Sequence, residues 1–264
     1  MDIITHTLSG IAFATCLAGI NTRGFKQKVW IIGSGALGGM LPDVDAISLW
    51  SRFDGTIGKF FGLSHSGKDI YSAKFWYSHH GFMHSLLGSL ICTVIIGILI
   101  YLLYKWIFKG KHSLLAFIKK NYVLFIAFIG GFNLHLLEDM ITPGGSWGGV
   151  RYFFPSKTYI GGTGDIWWWN NYDLFLIVVI VILLNLMILT VSYFSRKRLI
   201  KVLFSVFLIG GILFTIQFKN RPFNFNGKAY DVCETQSQEI QKKILPSSLY
   251  ERMMKFDNSL KVYF

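Results

Sequence analysis

Seven side chains able to bind metal fall into four short clusters along the chain. His6 stands alone near the start. Asp43 and Asp45 sit in Leu41-Pro42-Asp43-Val44-Asp45. His79 and His84 flank a segment that also holds His80, and His135 and Asp139 enclose Glu138. Imidazole and carboxylate together make a borderline-hard donor set that suits zinc, manganese or iron. His135 and Asp139 are four apart, so a helix puts both on one face. Pro42 can end a helix and turn the carboxylates after it toward a common centre. Seven ligands suffice for two divalent ions, expected to be zinc, with manganese the alternative. Such a pair could clamp a phosphoryl group and activate water near neutral pH. Glu138 and His80 are the candidates for moving protons. Arg151 could hold a phosphate in bidentate fashion, or simply anchor the chain at an interface. Each motif also has an ordinary reading: His6 as a core histidine, the Asp pair as a turn, His135 and Asp139 as a helix-surface pair. The argument for metal rests on the set.

The elements that must carry these residues are membrane helices. The 264 residues are 52% hydrophobic and 17% aromatic, only 15% are charged, and mean hydropathy is +0.46. A soluble domain carries about 25% charged residues. Runs of roughly 20 apolar residues, the length a spanning helix needs, occur at 85–104, 122–140, 174–194 and 199–218. Two weaker runs precede them: 3–20, which carries His6, and the short, glycine-rich 29–40. The expected fold is therefore all-α, a polytopic bundle of about six membrane helices over residues 1–218, with a polar tail over 219–264. The N-terminal run lacks a basic leader and a cleavage site, so it belongs to the mature chain.

The net charge of +12 does not point to nucleic acid, because the basic residues lie largely in short tracts between apolar runs, such as Arg196-Lys197-Arg198. Lys and Arg accumulate in cytoplasmic loops. The links after the first, third and fifth runs carry twelve of them, against six in the other two links. That assignment puts both termini and the tail outside. It also brings every candidate ligand to the external or periplasmic face, although the ligands played no part in it. Trp167-Trp168-Trp169 reads as an interfacial aromatic belt. Cys16, Cys92 and Cys233 have no CxxC spacing and support neither a thiolate zinc site nor a disulfide framework.

In order, Met1-Asp2-Ile3-Ile4-Thr5-His6, Leu41-Pro42-Asp43-Val44-Asp45, His79-His80-Gly81-Phe82-Met83-His84-Ser85 and 135–144 (HLLEDMITPG) resemble the motifs of the YdjM-type family of inner-membrane, metal-dependent hydrolases. That family's pattern is roughly MDxxTHxxxG, PDxD, HRGxTHS and HxxLDxxTPxG, and the resemblance covers about the first 160 residues. It implies His6, Asp43, Asp45, His79, His84, His135 and Asp139 as ligands. Two positions depart from the pattern: His80 replaces the usual Arg, and Met83 the usual Thr. The ligand order also resembles that of zinc phospholipase C at scattered positions. The expected function is a membrane-embedded hydrolase of a lipid or lipid-linked substrate, a phosphoester, using metal-activated water. The rivals are a metal-ion transporter or sensor, and a structural protein stapled by metal. A transporter should carry polar groups at mid-depth, where this chain offers only Asn185 and Gln217.

Overall fold

A computed structural model describes residues 3–20, 24–107, 109–141, 148–162, 171–219 and 239–259. The Thr142–Gly145 motif, the tryptophans at 167–169 and Cys233 lie outside them. The described residues are helical apart from loops and one isolated bridge between Val150 and Ile160.

The helices are α1 (Ile3–Ile20), α2 (Phe25–Met40), α3 (Gly67–Ser72), α4 (Leu86–Trp106), α5 (Leu114–Met140), α6 (Tyr172–Ser195), α7 (Ile200–Lys219) and α8 (Ser247–Ser259). Five of them, α1, α4, α5, α6 and α7, are long and apolar enough to cross a membrane. The sixth expected span, α2, has 16 residues and so runs about 24 Å, short of the ~30 Å hydrocarbon core. A tight 3-10 turn, Leu41–Leu49, continues it, with Pro42 in the first turn where a missing N–H costs nothing. The helix α5 begins a turn and more before the apolar run, because a kink at Asn121 (φ −117°) joins two helical pieces. The Asn121 amide donates to the Phe117 carbonyl at that kink, 3.0 Å away.

At the centre lies α1, packed against α2, α5, α6 and α7, while α4 lies outside against α5. Its buried face is built from alanine, glycine, serine and threonine, small residues that let helices approach closely where lipid offers no hydrophobic drive. The closest approach is to α2. A Cβ on Gly39 would overlap the His6 carbonyl, and one on Gly38 would overlap the Phe128 carbonyl of α5. Away from this seam, α4, α6 and α7 turn Leu, Ile, Val and Phe outward, as helices solvated by lipid do.

A few polar contacts cross the apolar interior, among them the Ser34 hydroxyl of α2 donating to the Leu124 carbonyl of α5 at 2.8 Å. Asn185 of α6 donates to the Thr15 hydroxyl of α1 at 2.9 Å. Asn185→Leu is expected to lower bundle stability by about 1 kcal/mol, read by thermal unfolding in detergent; an unchanged midpoint would show that this contact holds nothing together.

The C-terminal segment packs back onto the start of α6. Gln241, fully buried, exchanges two hydrogen bonds with Asp173, and the Tyr250 ring lies 5.7 Å from that of Tyr172.

Candidate metal centre

Four helix ends converge at one end of the bundle: the start of α1 with His6, the turn after α2 with Asp43 and Asp45, the approach to α4 with His84, and the last turns of α5 with His135, Glu138 and Asp139. For these ends to meet, the four helices must alternate in direction, so α2 runs back along α1 despite its length. His6, His80, His84, His135, Glu138 and Asp139 are all buried.

Asp43, His84, His135 and Asp139 each offer one ligand atom within a mutual 4.8 Å, a group that could hold a metal ion. His135 Nε2 lies 3.2 Å from His84 Nε2, 3.4 Å from Asp43 Oδ1 and 3.0 Å from Asp139 Oδ2. His84 Nε2 lies 3.6 Å from that Asp43 oxygen and 3.3 Å from the Asp139 oxygen. Zinc bonds His nitrogen and carboxylate oxygen at ~2.0–2.2 Å, and tetrahedral ligands at that radius stand about 3.3 Å apart. The five separations match that edge, so the donor set fits an ion of this kind.

The far edge of each imidazole decides which nitrogen faces inward. His135 Nδ1 donates to the Gly39 carbonyl at 2.7 Å, leaving Nε2 to turn its lone pair to the centre. His79 Nδ1 donates to Asp45 Oδ1 at 2.8 Å, and His84 Nδ1 lies 3.2 Å from Asp45 Oδ2. Asp45 therefore stands behind His84, away from the four-atom group. His6 reaches the centre from the opposite side: Nδ1 donates to Glu138 Oε2 at 2.6 Å, Nε2 lies 3.2 Å from Asp139 Oδ1, and the ring stacks on His135 at 3.8 Å.

His79, His80 and His84 form a second group that could hold a metal. His80 Nδ1 donates to the Gly149 carbonyl at 2.8 Å, and Nε2 stands 3.7 Å from Asp139 Oδ2. Its φ of 65° is left-handed, a conformation rare outside glycine and concentrated at functional sites. Burial pushes the His80 imidazole well below its ordinary value, and the neighbouring His79 adds to this. Burial alone would raise Asp43 and lower His84; the His135 charge instead holds Asp43 well below the carboxylate range, and Asp45 holds His84 well above the imidazole range.

Arg151 is buried. Its Nε and Nη2 donate to the carbonyls of Ser156 and Pro155, each at 3.0 Å, and the guanidinium lies 4.8 Å from the Phe154 ring centre. Its backbone N–H donates to the His80 carbonyl at 3.1 Å. Three site contributors have no signal in the sequence: the Gly39 and Gly149 carbonyls, which are backbone groups, and Tyr71, whose ring stacks on His79 at 4.5 Å.

A family model described as YdjM inner membrane protein matches residues 1–221, which span α1 to α7 and every candidate ligand. The chain belongs to the YdjM inner membrane protein family. Membership, together with the apolar helices, makes it an integral protein of the inner membrane. Residues 222–264, α8 among them, fall outside the YdjM match. No curated protein and no solved structure matches the chain.

Proposed function

We propose that this YdjM-family chain is a metal-dependent hydrolase acting on a lipid or lipid-linked substrate, a phosphoester, at the membrane boundary. The observation that carries this reading is the buried set of Asp43 Oδ1, His84 Nε2, His135 Nε2 and Asp139 Oδ2 at tetrahedral spacing. A divalent ion such as zinc or manganese, when bound there, supplies Lewis acidity and a more acidic water.

The protein groups do the rest. Asp45 orients His84 and His79 through their Nδ1 edges, and the Gly39 carbonyl does the same for His135. Such outer partners fix ring orientation and raise ligand basicity. Glu138, paired with His6 at 2.6 Å and adjacent to Asp139, can accept a proton from the reacting centre. His80 Nε2 is the other candidate for that role. A second ion would draw on His79 and His80 beside His84, whereas His6 stands across the centre, bonded to Glu138. A phosphate role for Arg151 requires its two loop bonds to open. The distribution of Lys and Arg favours the external, periplasmic face for the site.

A metal staple is the second reading, favoured by one observation: four protein donors in a closed, buried set is how structural zinc is held, whereas catalytic sites keep a position open. Head-group release from vesicles of phosphatidylglycerol and other phosphoester lipids, with zinc or manganese supplied, separates the two. Turnover is expected in the wild type, falling about 100- to 10,000-fold in Glu138→Gln with metal content unchanged. Bound metal without turnover on any phosphoester would sink the hydrolase and leave the staple.

A further inference from the structure

A groove of about 330 Å³ runs along the membrane part of the bundle, with Glu138 in its wall. Its origin is topological. Both α5 and the α6–α7 pair pack extensively on α1, whereas any contact of α5 with α6 or α7 is slight. The space between them stays open over the α1 surface. Leu134 and Leu137 of α5 face Val181 of α6 and Phe214 of α7, with Ser9 and Ala12 of α1 as the floor. Leu137 is 52% exposed and forms an outer lip, so the groove opens sideways to lipid.

We propose that this groove holds one hydrocarbon chain of a membrane lipid, with the lipid's polar head at the Glu138–His6 end beside the metal cluster. The proposal rests on the hydrolase reading only for what happens to the head; chain binding stands apart from it. Three observations favour this occupant. The lining is apolar apart from Ser9, Glu138 and Thr215. From Phe207 to Thr215 along α7 the groove is about 12 Å long, close to one leaflet of a ~30 Å core. Ser9, 5% exposed, has a buried hydroxyl with no hydrogen-bond partner on the floor a turn from His6. It can donate to an ester or phosphate oxygen at the head of a bound chain. The volume lies within the range of small-molecule pockets, roughly 300–1,000 Å³. A helix from another protein is far too wide for it, since a helix with side chains measures about 10 Å across or more.

Gly211 lines the groove, and a Cβ there would meet nothing within 4 Å. Gly211→Phe therefore fills the groove from α7, and Ile177→Trp fills it from α6. The full-length protein would be reconstituted in phosphatidylethanolamine and phosphatidylglycerol vesicles doped with a phosphatidylglycerol carrying a diazirine on its acyl chain. After irradiation, adducts are mapped by mass spectrometry, and bound metal is measured on the same samples. The expected result is preferential labelling of groove peptides. Each filling variant should cut that labelling at least fivefold while labelling of lipid-facing α4 persists and metal content holds. Groove labelling no stronger than that of α4, or unmoved in both variants, overturns the proposal. His84→Ala keeps the two readings apart: groove labelling that survives its loss of metal leaves chain binding standing even if no hydrolysis is found. Labelling that fails in a metal-loaded wild type removes the groove while leaving the metal centre intact.

Discussion

Replacing His84 by alanine is expected to abolish stoichiometric metal binding. His84 Nε2 faces both Asp43 and Asp139 in the four-donor group, and its ring stands between that group and Asp45. Asp139→Ala should behave alike, since its Oδ2 lies within 3.3 Å of both His84 and His135. Loss of an outer partner typically costs about 10–100-fold in metal affinity, and loss of a direct ligand should cost more. Asp45→Asn, which alters only the group behind His84, should fall in that lower range and provides the graded comparison. Elemental analysis of detergent-purified protein reads all three. The wild type should also gain stability with metal: an ion present at a hundred times its dissociation constant contributes about 2.7 kcal/mol, or a rise on the order of 5–10 °C in midpoint for a chain of this size. That gain should be absent in His84→Ala. A folded wild type that takes up neither zinc nor manganese when either is supplied would reduce these residues to a buried polar network.

The second large effect is expected at Gly39, far from any ionisable atom by chemistry but not by geometry. Its missing side chain lets α2 lie against the His6 backbone of α1, and its carbonyl receives the His135 Nδ1 proton. Gly39→Val forces the two helices apart. Overpacking of this kind costs about 3 kcal/mol, and here it also displaces His6 and frees the His135 ring. Both the thermal midpoint and the metal content should drop. Gly33→Val is the matched control in the same helix, because a Cβ there meets nothing within 4 Å. Its effect should stay within about 0.5 kcal/mol. Equal damage from the two substitutions would show that the close approach of α1 and α2 does not hold the site.

Several features were legible from residue order alone. Long apolar runs in water have no stable alternative to membrane burial, so four spanning helices could be read from length and hydropathy. The same logic singled out the candidate ligands, because ionisable groups at the ends of such runs are costly and are usually paired or functional. Pro42 was legible as the end of α2 in the same way, and a 3-10 helix, Leu41–Leu49, begins there.

Tertiary structure decided the rest, for a common reason. Which nitrogen of each histidine faces the centre depends on a partner 34 to 132 residues away, such as the Gly39 carbonyl for His135, Asp45 for His79 or Glu138 for His6. Backbone carbonyls have no residue type, so no motif announces them. The sorting of the seven candidates into a four-atom group, an outer Asp45–His79 pair and a His6 bonded to Glu138 is likewise a matter of distance. Arg151 reads in the sequence as a phosphate ligand or an interfacial anchor, yet its guanidinium holds its own loop. The groove arises because α5 and the α6–α7 pair both pack mainly on α1 and only slightly, if at all, on each other. The sequence by itself determined which residues can bind metal and that a membrane surrounds them, since residue chemistry and solvation are local. Which atoms meet, and where the gap between helices falls, depended on the packing of segments distant in the chain.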